Sequence, residues 1–267
     1  MEKKIIIFTR DDATSKNTER ILRKKLDNTG YLVTSSYCPD ADLLVCIGGD
    51  GTFLEAIHKF DFPSMPIIGI NTGHLGFFQE IMPAKMDDFI FNFSNNKYSL
   101  QPLSTVKIQI NTKSGETYEH IGLNEVIIKN SNARTVHLNM SIGGSFIERY
   151  SGDGILVATP AGSTAYNYSL GGSIVDPRLN LLQVTPMAPM NTTAYRSFTS
   201  SVLLPSELSL DLIPDMYEES ALSIIYDGFR KTYDNARSLT VSFSDIKVNL
   251  LRFEGYDFWT KVKSKFL

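Results

Sequence analysis

Cysteine is scarce in this 267-residue chain, and the two present, Cys38 and Cys46, provide no disulfide framework and lack the spacing of a metal pair. They read as core thiols of a reducing compartment. An excess of basic charge is also missing: 26 Lys and Arg against 29 Asp and Glu leave a formal net charge of −3. Nucleic acids and anionic membranes are normally met by a Lys/Arg surplus, so neither partner is expected, and a phosphate-bearing ligand must be held by local groups. No apolar run approaches the ~20 residues of a membrane span. The short apolar stretch after Lys3 and Lys4 is too brief for a signal peptide. These absences predict a cytoplasmic protein, and 42% hydrophobic with 21% charged residues is the composition of a folded chain rather than a disordered one.

A chain of this length has room for two modest cores. Its first part alternates. Residues 3–8 read as a buried strand, residues 15–28 carry Ile21, Leu22 and Leu26 on one helical face, and further apolar runs follow at 31–34, 43–47 and 67–70. Between the last two, residues 52–60 read as a helix in which Thr52 and Glu55 have capping-box spacing. Strand, helix and strand in succession imply a doubly wound parallel sheet. Another helix is expected at 84–93. After Pro102 the apolar period falls to two, at 106–110 and 136–142, and Gly143-Gly144 marks a hairpin turn. Strands at 208–212, 222–226 and 239–243 follow, and an amphipathic helix at 256–266 ends the chain. The expected architecture is an amino-terminal α/β domain (1–101), a β-rich, sandwich-like domain (102–252), and a carboxyl-terminal helix (253–267) returning to the first domain.

The sharpest local feature is Gly48-Gly49-Asp50-Gly51-Thr52, where an apolar strand meets a helix. Glycines let the backbone approach a bulky anion, and the first amides of a helix point unpaired N–H donors at it. A tight strand-to-helix turn with an exposed Asp would use the same residues without a ligand. A Walker loop requires Lys followed by Ser or Thr after its last glycine, and Thr52-Phe53 stand there instead. The dinucleotide fingerprint requires a third glycine where Leu54 stands. A second glycine loop, Asn71-Thr72-Gly73-His74-Leu75-Gly76-Phe77, follows the next strand and should open on the same sheet edge, where α/β sheets bind ligands. His74 has no close-spaced histidine partner and reads as structural. Further on come Asn124-Glu125 before an apolar run, Ser151-Gly152-Asp153-Gly154, Thr159-Pro160-Ala161-Gly162-Ser163-Thr164-Ala165-Tyr166-Asn167, and Gly171-Gly172. Such small hydroxyl, amide and carboxylate groups suit the reading of sugar hydroxyls and base edges, and equally suit hairpin turns and a helix start.

Taken in this order, these motifs closely resemble those of the NAD kinase family. The first motif alone is shared with phosphofructokinases and lipid kinases. The resemblance is strongest from Leu43 to Met190 and continues through Tyr226-Asp227-Gly228 to Phe258-Trp259. It implies an enzyme that phosphorylates the 2′-hydroxyl of the adenosine ribose of NAD, with Asp50 accepting the hydroxyl proton while Gly49 and Gly51 help hold phosphates. Asn124 and Glu125 would bind ribose hydroxyls, Asp153 would line the nicotinamide side, and Thr164, Ala165, Tyr166 and Ser169 would surround the adenine. Phe77 would offer an apolar face and Ala188 a backbone contact, with Ser151 and Asn167 completing the substrate-binding set. ATP as donor, magnesium or another divalent cation, and a homo-oligomer, a tetramer with sites shared between subunits, are implied too. Many relatives carry a basic residue where this chain has Ser151, with Arg149 two positions earlier, and a histidine where Met190 follows Pro189. A lipid or sugar kinase using the same glycine loop, and a non-catalytic NAD sensor, are the rival readings.

Overall fold

The computed structural model describes residues 3–74, 76–132, 134–193, 195–215 and 221–267. The chain divides into two compact units, Met1–Leu103 with Lys247–Leu267, and Ser104–Ile246. Its elements in order are β1 (Lys4–Thr9), α1 (Ala13–Asp27), β2 (Leu32–Thr34), β3 (Leu43–Gly48), α2 (Asp50–Lys59), β4 (Ile67–Asn71), β5 (Gln79–Ile81), α3 (Met86–Ser94), β6 (Ser99–Thr112), β7 (Thr117–Gly122), β8 (Glu125–Asn130), β9 (Val136–Ile142) and β10 (Ser145–Gly152). There follow β11 (Gly154–Ala158), α4 (Tyr166–Ser169), β12 (Leu181–Met187), β13 (Val202–Pro205), β14 (Leu210–Pro214), β15 (Leu222–Tyr226), β16 (Phe229–Tyr233), β17 (Ala236–Arg252) and α5 (Phe258–Phe266).

In the first unit the strands pair in parallel in the order β2-β1-β3-β4, and β5 and the end of β17, through Leu250 opposite Ile67, both join β4. β3 and β4 are buried along their whole length, as continuous apolar runs in a parallel sheet should be. Ile5, Ile7, Leu43, Val45 and Ile47 pack with Leu22 and Leu26 of α1 and with Met86, Phe89 and Phe93 of α3. Alternation turns Ile6, Leu44 and Cys46 to the other face. The chain steps from β1 to β2 in one direction and from β1 to β3 and β4 in the other. That reversal puts a topological switch point between β1 and β3, and open α/β sheets bind ligands outside the carboxyl ends of strands at such a point.

The second unit is a two-layer β structure. One sheet runs β13-β12-β11-β8-β15-β16, and in the other β10, β9, β14 and β17 are successive neighbours, with β6 pairing β17 and β7. Val126, Ile128, Ile155, Val157, Leu182 and Ile224 from the first meet Val106, Ile108, Leu138, Met140, Leu212 and Val241 from the second in one buried cluster. The period-two patterning supplies that inner face. Gly143 (φ 56°) and Gly144 (φ 80°) make the hairpin that sets Ser145 opposite Ile142.

Some expected boundaries shift. The helix expected to start at a Thr52 cap begins at Asp50, with Gly49 as its cap and no side-chain cap bond, so Thr52 lies buried inside the first turn and the capping box is absent. Residues 84–93 divide into a short 3-10 turn, Pro83–Lys85, and α3. The strand expected at 239–243 is the middle of the 17-residue β17.

Candidate active site

β3 ends at the switch point, and Gly49 and Asp50 follow as the cap and first residue of α2. The Asp50 carboxylate is fixed at both oxygens: Phe77 donates its backbone N–H to Oδ2 at 2.9 Å and Phe78 donates to Oδ1 at 3.0 Å. The side chain stays 27% exposed, and Lys265 Nζ lies 3.8 Å from Oδ2. This explains why the second glycine motif accompanies the first. A Cβ on Gly76 would stand 2.3 Å from Asp50 Oδ1, so only glycine lets the 76–78 segment close on the carboxylate. Leu75 of that motif lies outside the described residues. Gly51 is exposed and Gly49 half-buried at the start of α2, where the Thr52 amide already bonds the Gly49 carbonyl at 3.0 Å and the amides ahead of it precede the helical ladder.

Phe77 is buried, its ring 5.9 Å from that of Phe258 and 6.0 Å from that of Phe266 of α5. The apolar face expected to be open to a nucleotide is therefore occupied by α5. Lys261 of the same helix donates to the carbonyl oxygens of Phe77 and Gln79, at 3.3 and 2.6 Å. Burial, with the nearby Arg252 charge, pushes its ammonium down to about 8. Neither lysine was singled out from the sequence, because a basic residue in a terminal helix looks like solvated surface until the fold returns it to the loop.

In the second unit Asn124 and Glu125 are only 7% and 8% exposed. Asn124 Oδ1 and Glu125 Oε2 are buried, without a hydrogen-bond partner among the described residues. Burial, reinforced by the Asp227 charge, pushes the Glu125 carboxyl up to about 8, so it is largely protonated at neutral pH and able to donate. A Cβ on Gly162 would stand 1.9 Å from the Asn124 carbonyl oxygen, and Thr159 donates its N–H to the same oxygen at 2.9 Å. The motif at 159–167 is thus seated on the backbone of the Asn-Glu pair. Thr164 is nearly buried, Ala165 half-buried, and Tyr166 and Ser169 exposed on α4. Asp153 is exposed, with its N–H bonded to the Met187 carbonyl. Ala188 is exposed in the left-handed region at φ 43°, a conformation unusual for a residue with a side chain.

Two of the expected substrate-binding residues are fully buried. Asn167 is wholly buried: its amide oxygen accepts from Thr185 Oγ1 at 2.6 Å and its nitrogen donates to the Ser163 and Ser173 carbonyls. Its side chain ties the 163–173 turn to β12. Ser151 is likewise fully buried, taking a hydrogen bond from Met190 N–H at its carbonyl and donating its own N–H to Ser197 Oγ. Its hydroxyl lies 3.9 Å from Met190 Sδ. The two positions at which this chain departs from the pattern of many relatives therefore touch, while Arg149 is engaged by Asp215.

The ATP-NAD kinase N-terminal domain matches residues 9–98, and the ATP-NAD kinase C-terminal domain matches residues 123–253. The NAD kinase of Finegoldia magna is 38% identical over 266 residues, covering 98% of this chain and 97% of that protein. The chain belongs to the NAD kinase family. NAD kinase 1 of Oceanobacillus iheyensis is 33% identical over 264 residues, again 98% of this chain and 97% of that protein. Among solved structures, yeast NADH kinase complexed with NADH is similar at TM-score 0.85 with 18% identity, covering 99% of this chain and 87% of that one. An NAD kinase from Archaeoglobus fulgidus in complex with ATP is similar at 0.74 with 23% identity, covering 99% of both chains. These two likenesses concern the fold, and they agree with an α/β unit, a β-rich unit and a carboxyl-terminal helix.

Proposed function

We propose that the protein transfers the γ-phosphoryl group of ATP to the 2′-hydroxyl of the adenosine ribose of NAD, with Asp50 as general base. The ribose oxygen forms its bond to the γ-phosphorus as the β–γ bridging bond breaks, ADP leaves, NADP forms, and the hydroxyl proton passes to the Asp50 carboxylate. A sugar hydroxyl is a very weak acid, and such general-base help is typically worth about 10²–10⁴-fold. The observation that carries this reading is the tethering of Asp50. Each carboxylate oxygen has two lone-pair directions, so one backbone N–H on each orients the group and leaves it able to accept a proton.

The remaining roles belong to the same proposal. Gly49, Gly51 and the first amides of α2 receive phosphate oxygens, Asn124 and Glu125 take ribose hydroxyls, and Thr164, Ala165, Tyr166 and Ser169 border the adenine. Asp153 lines the nicotinamide side and Ala188 offers backbone. Among the described residues no three His, Cys, Asp or Glu side chains gather as a metal cage. Magnesium would arrive on the donor, as the Mg–ATP substrate, because Mg²⁺ commonly takes phosphate oxygens and waters with few protein ligands. Cytoplasmic residence agrees with two free cysteines. Assembly as a homo-oligomer, a tetramer, agrees with the exposed Phe146, Ile147 and Ile213 on β10 and β14.

The test is a substrate panel with Mg–ATP: NAD, NADH, a sphingoid base, diacylglycerol and fructose 6-phosphate. NADP formation with no turnover of the lipids or the sugar phosphate is expected. Lipid or sugar phosphorylation in place of NADP would transfer the reading to a related kinase, and tight NAD binding without product under any donor would make the chain a sensor.

A further inference from the structure

The Asn124-Glu125 pair presents two buried oxygens with no hydrogen-bond partner among the described residues, and groups so costly to desolvate hold their aim only if their backbone is fixed. What fixes it comes from the β15–β16 hairpin. Asp227 is 9% exposed, and its carboxylate accepts the backbone N–H groups of Leu123 (2.6 Å), Asn124 (2.7 Å) and Glu125 (3.3 Å). Its own N–H returns a bond to the Glu125 carbonyl at 3.2 Å. Asp227 (φ 48°) and Gly228 (φ 89°) both sit in the left-handed region, the pattern of a two-residue hairpin turn for which Asn-Gly and Asp-Gly are the favoured pairs. The turn alone would accept Asn at least as well as Asp. The carboxylate is the feature that the three successive donors require.

We propose that Asp227 is a positioning residue for substrate recognition, its carboxylate gathering the amides of residues 123–125 so that Asn124 and Glu125 hold their side-chain oxygens ready for sugar hydroxyls. This rests on the reading of Asn124 and Glu125 as dinucleotide-binding residues. A second consequence follows from charge. Burial pushes the Glu125 carboxyl up to about 8, and the Asp227 carboxylate beside it adds to that rise, which gives the pair a donor as well as acceptors.

Asp227→Asn tests the clamp because it keeps the turn chemistry while setting an amide NH₂ donor against backbone donors. Asp227→Gly removes the side chain and leaves the left-handed backbone allowed. In both variants the NAD KM and the calorimetric NAD Kd should rise by at least about tenfold, while the ATP KM stays within about twofold. A residue that only supported the fold would lower the melting temperature or the active fraction and leave the NAD KM where it was, and that result in a folded variant overturns the proposal. Asn124→Ala, run in parallel, separates the two levels. If it weakens NAD binding and the Asp227 variants do not, the clamp alone is wrong; if it leaves NAD binding intact, the reading of the pair fails and the clamp with it. Hydrogen exchange on the wild-type protein needs no variant. The amides of Leu123 and Asn124 should be strongly protected before NAD is added, and rapid exchange there would overturn the clamp.

Discussion

Gly76 has no side chain, and the orientation of Asp50 depends on that. Gly76→Ala would put a methyl group 2.3 Å from Asp50 Oδ1, and the carboxylate cannot yield without giving up the Phe77 and Phe78 amides. The variant should lose at least about tenfold in kcat with a smaller change in NAD affinity, read by steady-state kinetics beside calorimetry. Glu125 supports a prediction of a different kind. Its carboxyl is raised from an ordinary 4.5 to about 8 in the folded chain, so the folded state binds the proton more tightly than the unfolded one. Stability is then full below pH 4.5, declines as pH rises toward about 8, and is flat beyond, by at most about 1.4 kcal/mol per pH unit. Glu125→Gln should remove that decline, visible as a melting-temperature difference from wild type that changes between pH 5 and 8 and no further. The resemblance of the motifs to the NAD kinase family singled out Asp50, Asn124 and Glu125 in the sequence. It did not show what holds them, since Asp227 and Lys265 reach these residues only through the fold. Nor did it separate Asn167 and Ser151, whose residue types suit a ligand and a turn equally.

At the scale of elements, α2 and α5 differ in how far sequence could describe them. The break between β3 and α2 was readable because a fully apolar run ends at two glycines. The starting residue was not: Thr52 and Glu55 mimic a capping box, but the chain turns helical at Asp50, where Gly49 caps with backbone alone. The amphipathic period of α5 was also visible, whereas its docking by Lys261 onto the Phe77 and Gln79 carbonyls was not. Lys261→Met keeps the apolar stem and removes the donors to the Phe77 and Gln79 carbonyls. It should lower stability by about 1–3 kcal/mol, speed hydrogen exchange across residues 76–81, and reduce kcat as Asp50 loses its orientation. Unchanged exchange in that segment would show that α5 does not hold the loop.

For the whole molecule, the alternation of strand and helix, followed by a switch to period-two patterning, implied an α/β unit and a β-rich unit, and both are present. Strand order was beyond reach. β8 pairs with β11 and β15, and β14 with β9 and β17, so the sandwich is built from pairings distant in sequence that no local pattern encodes. Outward residues tell more about assembly than about fold. Phe146 is 65% exposed on β10 and Ile213 is 50% exposed on β14, and Phe146→Lys with Ile213→Lys should convert an oligomer to smaller species by light scattering. A wild-type protein of monomer mass would contradict that assembly. The most direct measurement is NADP formation from NAD and Mg–ATP by wild type and Asp50→Asn, with NAD affinity determined on the same samples. Asp50→Asn should lose at least ~10²-fold in turnover with NAD affinity retained; a folded variant that turns over at nearly the wild-type rate would rule out Asp50 as the general base.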